Sequence, residues 1–120
     1  MDFKIEVEVS AEMKVIWLRK QKQDPHSAAW VIQNRAVELK RYLRGNSEAI
    51  AALNRLEEIG AEISRAISEG DTGEVTRLAE EASKQKSVVA QAMATVQNVT
   101  NEARQFFLEM SDAIRALGGY

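Results

Sequence analysis

Hydrophobic and charged side chains alternate strictly over residues 3–9, FKIEVEV. Successive side chains of a strand point to opposite faces, so this pattern predicts a strand with one apolar and one charged face. The apolar face carries Phe3, Ile5, Val7 and Val9, and the charged face carries Lys4, Glu6 and Glu8. Because the rest of the chain has helical spacing, the strand needs a hydrogen-bonding partner from outside its own molecule.

Helical spacing begins after Ser10, which offers an N-terminal cap for a short helix over residues 11–23. The consecutive apolar residues 15–18, VIWL, also fit a second strand that would form a hairpin with the first. Pro25 then suits the first turn of a helix and disfavours helix for Asp24 before it. The helix that follows has apolar side chains at steps of three and four residues and is expected to end at Gly45. Its predicted buried face consists of Ala29, Ile32, Ala36, Leu39 and Leu43.

Ser47 caps a third predicted helix, which ends at Gly70. Gly60 lies within it and is expected to permit close contact with a neighbouring helix. Asp71 and Glu74 then have the spacing of a capping box and open a fourth helix. The predicted inward residues of the third helix are Leu53, Leu56, Ile59, Ile63 and Ile67.

A strict heptad pattern runs from Val75 to the end of the sequence. It predicts one continuous helix of about 43 residues, about 65 Å long. The segment VQNVTN, residues 96–101, is its weakest part because it is rich in poor helix formers. The preceding helix is too short to cover this seam, so about half of it must meet another chain or fold back, and self-association is expected. The residues assigned to that oligomer or partner contact are Val89, Val96, Phe106, Phe107 and Met110.

The composition is that of a globular protein. With 120 residues, 45% hydrophobic and 28% charged, the chain is long enough for one ordinary domain or two very small ones. It contains no cysteine, which excludes disulfides and thiolate metal sites. No apolar run approaches the roughly 18 residues of a membrane span, and the N-terminus does not resemble a signal peptide. We therefore expect a cytoplasmic protein without membrane partners.

Charge is distributed unevenly along the chain. Residues 11–45 carry eight lysines or arginines against three acids, whereas residues 46–120 carry seven against twelve. This asymmetry suggests two regions with different roles. We expect a dimerisation domain over residues 1–45 and a helical hairpin for oligomerisation or partner binding over residues 46–120.

Catalytic chemistry has little support in the sequence. His26, the single histidine, has no accompanying nucleophile pattern. The acidic pairs at residues 57–58 and 80–81 diverge by about 100° on a helix, which is typical of exposed surface. No glycine-rich phosphate loop occurs. We predict a protein that is not an enzyme and that has no metal and no cofactor.

The first 44 residues resemble the ribbon-helix-helix family of small bacterial and phage DNA-binding proteins. The segments that carry this resemblance are KIEVEVS at 4–10, MKVIWL at 13–18, DPHS at 24–27 and WVIQNRAVELKRYL at 30–43. The resemblance implies a mainly α fold in which the N-terminal strand pairs with its copy across a dimer, followed by the long C-terminal hairpin or coiled-coil module. Arg35 matches an arginine that often bonds within the core of that family. The implied dimer contacts are Phe3, Ile5, Val7, Val9, Trp17, Trp30 and Ile32.

The same resemblance implies DNA binding, with the ribbon in the major groove. Lys4, Glu6 and Glu8 would then face base edges, and the backbone at residues 25–27 would anchor a phosphate, assisted by His26. The implied DNA contacts are therefore Lys4, Glu6, Glu8, Pro25, His26 and Ser27. Two ribbons would present two lysines and four glutamates, whereas the family usually presents Arg, Lys, Asn, Gln or Thr. This acidic face argues against ordinary sequence-specific binding, since cations that neutralise phosphates supply most DNA affinity.

The C-terminal half is similar in outline to relaxosome accessory proteins of mobilisable plasmids, which hold DNA near a transfer origin and contact a relaxase. Two hypotheses follow. The first is a dimeric or tetrameric DNA-binding repressor or plasmid-transfer accessory factor, with double-stranded DNA and a relaxase or host factor as partners. The second is a non-catalytic protein interaction module, a phage or plasmid inhibitor or adaptor, whose acidic surface engages a basic partner.

Overall fold

Four helices account for most of the residues that the computed structural model describes, which are 24–96 and 99–120. Helix α1 spans Pro25–Lys40, α2 spans Ser47–Ser68, α3 spans Thr72–Thr95 and α4 spans Asn101–Ala116. Among these helices, none combines the length and the apolar character that crossing a membrane requires.

Each helix begins at a side chain that accepts a hydrogen bond from the backbone of the first turn. The cap predicted at Asp71 is confirmed, because the Asp71 carboxylate accepts from the amide of Glu74 at 3.0 Å. The reciprocal half of a capping box is absent, since the Asp71 amide donates to the carbonyl of Ala66 and the Glu74 carboxylate pairs with Arg77. The cap predicted for the third was wrong by one residue. Asn46 accepts from the amide of Ala49 at 3.0 Å, and Ser47 is already helical.

The predicted end of α2 is confirmed, and the predicted end of α1 was wrong. Gly70 has a φ of 73°, the left-handed conformation that commonly ends a helix. Helix α1 instead stops at Lys40, and Gly45 does not have a positive φ. The residues between α1 and α2 continue through turns, in which the amide of Asn46 donates to the carbonyl of Leu43 at 3.0 Å.

The four helices share one hydrophobic core. Helix α1 packs against α2 on one side and against α4 on the other, α2 packs against α3, and α3 touches α4 along a smaller surface. Contacts that join opposite ends of neighbouring helices, such as His26 with Ser64 and Lys40 with Asn54, make α1 and α2 antiparallel. The predicted inward face of α1 is confirmed, since all five of its residues are buried. So is that of α2, except that Ile67 is only half-buried.

Gly60 is a point of close contact between α1 and α2, as predicted. A Cβ atom at this position would lie 2.9 Å from the carbonyl oxygen of Ala29 and 2.9 Å from the Cβ of Gln33. Contacts of this length are not tolerated without a shift of the backbone. The glycine therefore sets the spacing between these two helices.

The predicted fold class was wrong. Residues 24–96 and 99–120 form α-helices joined by turns, with no strand among them. The apolar face of α1, which includes Ile32, packs against α2 and α4 of its own chain rather than into the intertwined core of a ribbon-helix-helix dimer. The apolar face of a helix can be buried by another helix of the same chain or by a helix of a second chain. Burial within the same chain avoids the entropic cost of association. The predicted strand over residues 3–9 and the predicted helix over 11–23 lie outside the described residues.

The prediction of a single long C-terminal helix was also wrong. Helix α3 ends at Thr95, Val96 has extended backbone angles (φ −86°, ψ 122°), and the Thr100 hydroxyl caps α4 by accepting from the amide of Ala103 at 3.1 Å. The break falls in the segment predicted to be weakest. Helix α4 folds back, so the heptad residues Ala103, Met110 and Leu117 are buried within the chain.

Candidate interaction surface

The outer face of α1 carries two large hydrophobic side chains that the core does not use. Trp30 is 56% exposed and Val37 is 41% exposed. Seven residues make about two helical turns, so the two side chains lie on the same side of α1. We call this pair the α1 outer face. A tryptophan buries about 150–250 Å² when a contact covers it, so its exposure shows that no other part of residues 24–96 and 99–120 packs over this side of the helix.

A groove between α1 and α2 adjoins this face. It has a volume of about 490 Å³ and is lined by Gln33, Asn54, Glu57, Glu58 and Ala61. Gln33 follows Trp30 by three residues and precedes Val37 by four, so helix geometry places it between them at the edge of the groove. The α1 outer face and this groove, which we call the acidic groove, therefore form one continuous surface.

Polar bonds hold the floor of the acidic groove in place. The Nζ of Lys40 donates to Glu57 Oε2 at 2.7 Å and to Asn54 Oδ1 at 2.9 Å, which ties the end of α1 to α2. Glu58 points outward, with 66% of its side chain exposed, and lies 3.1 Å from Arg55 Nη1. Its carboxylate is the most accessible charge in the groove.

The guanidinium of Arg55 is shared by carboxylates from two helices. It pairs with Glu58 and with Glu62 (3.2 Å) on α2, and its Nη2 donates to Glu81 on α3 at 2.9 Å. The hydrogen bond to Glu81 raises the pKa of Arg55 above its ordinary value and, in return, lowers the pKa of the Glu81 carboxyl. Arg77 also lies 3.9 Å from Glu81 and pairs with Glu74. Two arginines therefore meet four carboxylates, and the surface beside the acidic groove keeps a surplus of negative charge.

On its other side, α1 is clamped to α4. Arg35 forms an ion pair with Glu109, and its guanidinium carbon lies 5.1 Å from the centre of the Phe106 ring. The Tyr42 ring packs against the same phenylalanine, with 6.4 Å between ring centres. These contacts half-bury Phe106 within its own chain.

Most residues predicted to bind DNA or to form the dimer lie outside the described range. These are Phe3, Lys4, Ile5, Glu6, Val7, Glu8, Val9 and Trp17. Pro25, His26 and Ser27 form the first turn of α1. There the Asp24 side chain accepts from the amide of Ser27 at 3.4 Å, and His26 Nδ1 lies 2.9 Å from the Ser64 hydroxyl. The aspartate carboxylate occupies the position at the helix N-terminus where a phosphate would bind. DNA binding stays a prediction.

The other residues predicted to form the dimer or the partner contact differ in how far they are buried. Ile32, Val89 and Met110 are fully buried in the core of the chain, and Trp30 is exposed. Val96 and Phe107 are half-buried and lie close together, where they line a groove of about 360 Å³ at the turn between α3 and α4. The structure therefore places these predicted contacts in three different environments rather than on one face.

Trp30 was grouped with Ile32 as a dimer contact, whereas the two residues lie on opposite sides of α1. The signal was present, since Trp30 precedes Ile32 by two residues and so lies about 200° around the helix from the buried stripe. The charge cluster at Arg55 was also missed. Its signal was the spacing of three and seven residues from Arg55 to Glu58 and Glu62, which places all three on one side of α2.

The acidic pairs diverge on their helices as predicted, but only Glu58 and Glu80 are exposed, whereas Glu57 and Glu81 are half-buried. Glu57 and Glu58 point to different cations, Lys40 and Arg55. Within residues 24–96 and 99–120, no group of three or more His, Cys, Asp or Glu side chains is placed to hold a metal ion.

Comparison of the chain with protein-family models, with curated proteins and with solved structures found no match.

Proposed function

We propose that this chain is a non-catalytic protein interaction module that binds a basic amphipathic helix of a partner along the α1 outer face. The observation that carries this proposal is the exposed Trp30 beside the acidic groove. An amphipathic helix recognised in a groove inserts apolar anchors at positions such as i and i+7. Its charged side chains then decide which groove it fits.

The apolar part of the surface matches such a helix in spacing. Trp30 and Val37 are about 10 Å apart along α1, at 1.5 Å per residue. Apolar residues seven apart on a partner helix are separated by the same distance. Exposed tryptophans are enriched among the residues that dominate binding energy, so Trp30 is the expected anchor.

The charged part of the surface selects a basic partner. Glu58 presents its carboxylate to solvent, and the cluster around Arg55 adds further negative charge. Lysines or arginines on the partner would meet these groups in an arrangement that speeds association and disfavours acidic competitors. Binding should weaken as salt is added.

The charge of the groove supports a protein partner over nucleic acid at this surface. DNA affinity depends on cations that are available to neutralise phosphates. The charged side chains that line the groove are Glu57 and Glu58, which would repel the DNA backbone.

The proposal is tested by measuring the anisotropy of a fluorescent 18-residue amphipathic peptide made of leucine and lysine. A peptide with glutamate in place of lysine is the matched probe. We expect the lysine peptide to bind the chain, more weakly at higher salt, and the glutamate peptide not to bind. Absence of binding by the lysine peptide at low salt would contradict the proposal.

Two pairs of variants locate the binding site. Glu58→Lys should weaken binding about tenfold by reversing a charge in the groove, whereas Glu80→Lys makes the same change on the exposed surface of α3 and should not. Trp30→Ala should weaken binding, and Leu108→Ala, at an exposed apolar residue of α4, is its control. Equal effects of the two charge reversals would place the peptide elsewhere.

A further inference from the structure

We infer that the groove between α3 and α4 binds a small anionic amphiphile, a single alkyl chain that ends in a carboxylate, as in a fatty acid. We call it the α3–α4 groove. It shares no lining residue with the acidic groove, so this inference does not depend on the proposed function. Three observations carry it: the gap between the two helices, the apolar lining of that gap, and the position of one arginine.

The gap exists because α3 and α4 touch along only a small surface. Ala90 and Ala94 lie four residues apart on one side of α3, and their short side chains give the groove its depth. Met93 and Phe107 also line it and are only half-buried, so part of each side chain is open to a ligand. The volume of about 360 Å³ is in the range of clefts that hold small molecules, about 300–1,000 Å³.

The lining is apolar except at one position. Among the described residues, those that line the groove besides Arg104 are alanines, valines, Met93 and Phe107. Leu108 is 49% exposed and follows Arg104 by four residues, so it extends the apolar surface on the same side of α4. A mainly apolar lining with a single charged group is typical of sites that bind and orient a small organic ligand. The apolar part suits an alkyl chain, whose methylene groups gain free energy on leaving water.

Arg104 sets the charge of the ligand. It is exposed near the start of α4, and neighbouring acids of that helix face α1 instead. Burial and the nearby carboxylate of Glu102 raise the pKa of the Tyr42 hydroxyl, which places Glu102 on the α1 side. Glu109 likewise pairs with Arg35 of α1. The guanidinium therefore gives the α3–α4 groove a positive charge, and its planar group can bond both oxygens of a carboxylate.

The inference is tested by titrating the ¹⁵N-labelled full chain with decanoate, below the concentration at which micelles form, and recording amide chemical shifts by NMR. Decyltrimethylammonium has the same alkyl chain with a cationic head and is the matched probe. We expect decanoate to shift the amides of Ala90, Ala94 and Phe107 and to bind about tenfold more tightly than the cationic amphiphile. Unchanged amides at these residues, or equal affinities for the two amphiphiles, would overturn the inference.

A pair of arginine variants tests the charge. Arg104→Gln should weaken decanoate binding about tenfold and should not weaken binding of decyltrimethylammonium. Arg115→Gln removes the same charge from another exposed position of α4, outside the groove, and is the control. Equal losses in both variants would show that only the overall charge of the chain matters, which overturns a site at Arg104.

A pair of alanine variants tests the groove itself. Ala90→Leu places a larger side chain in the α3–α4 groove and should reduce decanoate binding at least about tenfold. Ala51→Leu makes the same change at an exposed position of α2 that does not line this groove, and binding should stay unchanged. Both substitutions are between good helix formers at exposed sites, so both proteins should fold. Full decanoate affinity in a folded Ala90→Leu protein would overturn the inference.

Two further measurements distinguish a free amphiphile from a larger ligand of similar chemistry. Vesicles of anionic phospholipid present alkyl chains and negative charge as a bilayer, and the glutamate peptide presents leucines and carboxylates as a helix. We expect the chain not to sediment with the vesicles and the peptide not to displace decanoate. Sedimentation that Ala90→Leu abolishes would assign the groove to a membrane, and displacement by the peptide would assign it to a protein. Either result overturns the inference.

Discussion

The hydroxyl of Ser83 accepts a hydrogen bond from the backbone amide of Tyr120 at 2.7 Å, across 37 positions of the chain. Ser83 is completely buried in α3, and its Oγ also donates to the carbonyl of Ala79 at 3.1 Å. The Nζ of Lys86 donates to the carbonyl oxygen of Tyr120 at 2.5 Å. The backbone amide and the carbonyl oxygen of Tyr120 are thus both bonded to side chains of α3. These bonds join the turn after α4 to α3, which otherwise has only a small contact surface with α4.

Gly119→Ala should destabilise the chain by about 1–3 kcal/mol because there is no space for a methyl group. An added Cβ would lie 2.6 Å from Ser83 Oγ and 2.7 Å from the carbonyl oxygen of Ala79. Urea unfolding at equilibrium measures the effect. Gly45→Ala is the control, because nothing lies within 4 Å of its Cβ position and its φ is not positive. It should be neutral or slightly stabilising, and equal losses in both variants would contradict this account.

Lys86 should make stability depend on pH in the alkaline range. Burial lowers the pKa of its amine from the ordinary value of 10.5. Between the two pKa values the unfolded chain binds more protons at this group than the folded chain, so the contribution of Lys86 to stability rises as pH increases towards 10.5. The difference in unfolding free energy between the unmodified chain and Lys86→Met, measured from pH 7 to pH 10, should shift in favour of the unmodified chain.

Subtracting the Lys86→Met values removes the effect of groups common to both proteins, including Tyr42, whose raised pKa acts in the opposite direction at high pH. The same substitution at the exposed Lys84 is the control. A difference for Lys86→Met that stays constant with pH would show that its amine is no more desolvated than in the unfolded chain.

The pair formed by Arg35 and Glu109 should contribute about 0.5–1 kcal/mol of coupling energy. Both side chains are about a quarter exposed, at 25% and 23%, which limits the ion pair, whereas stacking on Phe106 adds to it. A double-mutant cycle with Arg35→Ala and Glu109→Gln measures the coupling. Arg35→Lys keeps the charge but loses the planar group that stacks on the ring. If it matched the unmodified chain in stability, stacking would contribute nothing.

Gly60→Ala should destabilise the chain by about 1–3 kcal/mol and also weaken binding of the lysine peptide. The added methyl group would push α1 away from α2 at Ala29 and Gln33, and Gln33 lies at the edge of the acidic groove. Gly73→Ala in the first turn of α3 is the matched control, since its nearest neighbour, Asp71 Oδ1, is 3.7 Å away. That variant should gain up to about 1 kcal/mol from helix propensity. If a folded Gly60→Ala protein kept its full affinity for the peptide, binding would not depend on the spacing between α1 and α2.

Much of the local structure was predictable because it depends on neighbours in the sequence. The buried faces of α1 and α2, the cap at Asp71, the end at Gly70 and the close contact at Gly60 all follow from spacing or residue type within a few positions. The cap at Asn46 was missed since Ser47 beside it is an equally good capping residue.

The candidate site was much less predictable than the helices. The acidic groove exists only because α1 and α2 pack antiparallel, which places Gln33 beside Asn54, Glu57 and Glu58. Periodicity identifies the side of a helix that avoids water but not the neighbour that covers it. For that reason Trp30 could be located around α1 from the sequence, whereas the groove beside it could not.

The sequence by itself determined where α1 and α3 begin, the extent of α2 to within one residue, and which sides of α1 and α2 are apolar, because these features depend on residues a few positions apart. Only the tertiary structure decided that α4 returns to pack on α1, joining Arg35 to Glu109 across 74 positions. The apolar side chains of a heptad pattern can be buried equally well by another chain or by the same chain folded back. Which of the two occurs depends on the extended backbone at Val96 and on the apolar area that α1 and α3 leave uncovered. Both features are visible only in the tertiary structure.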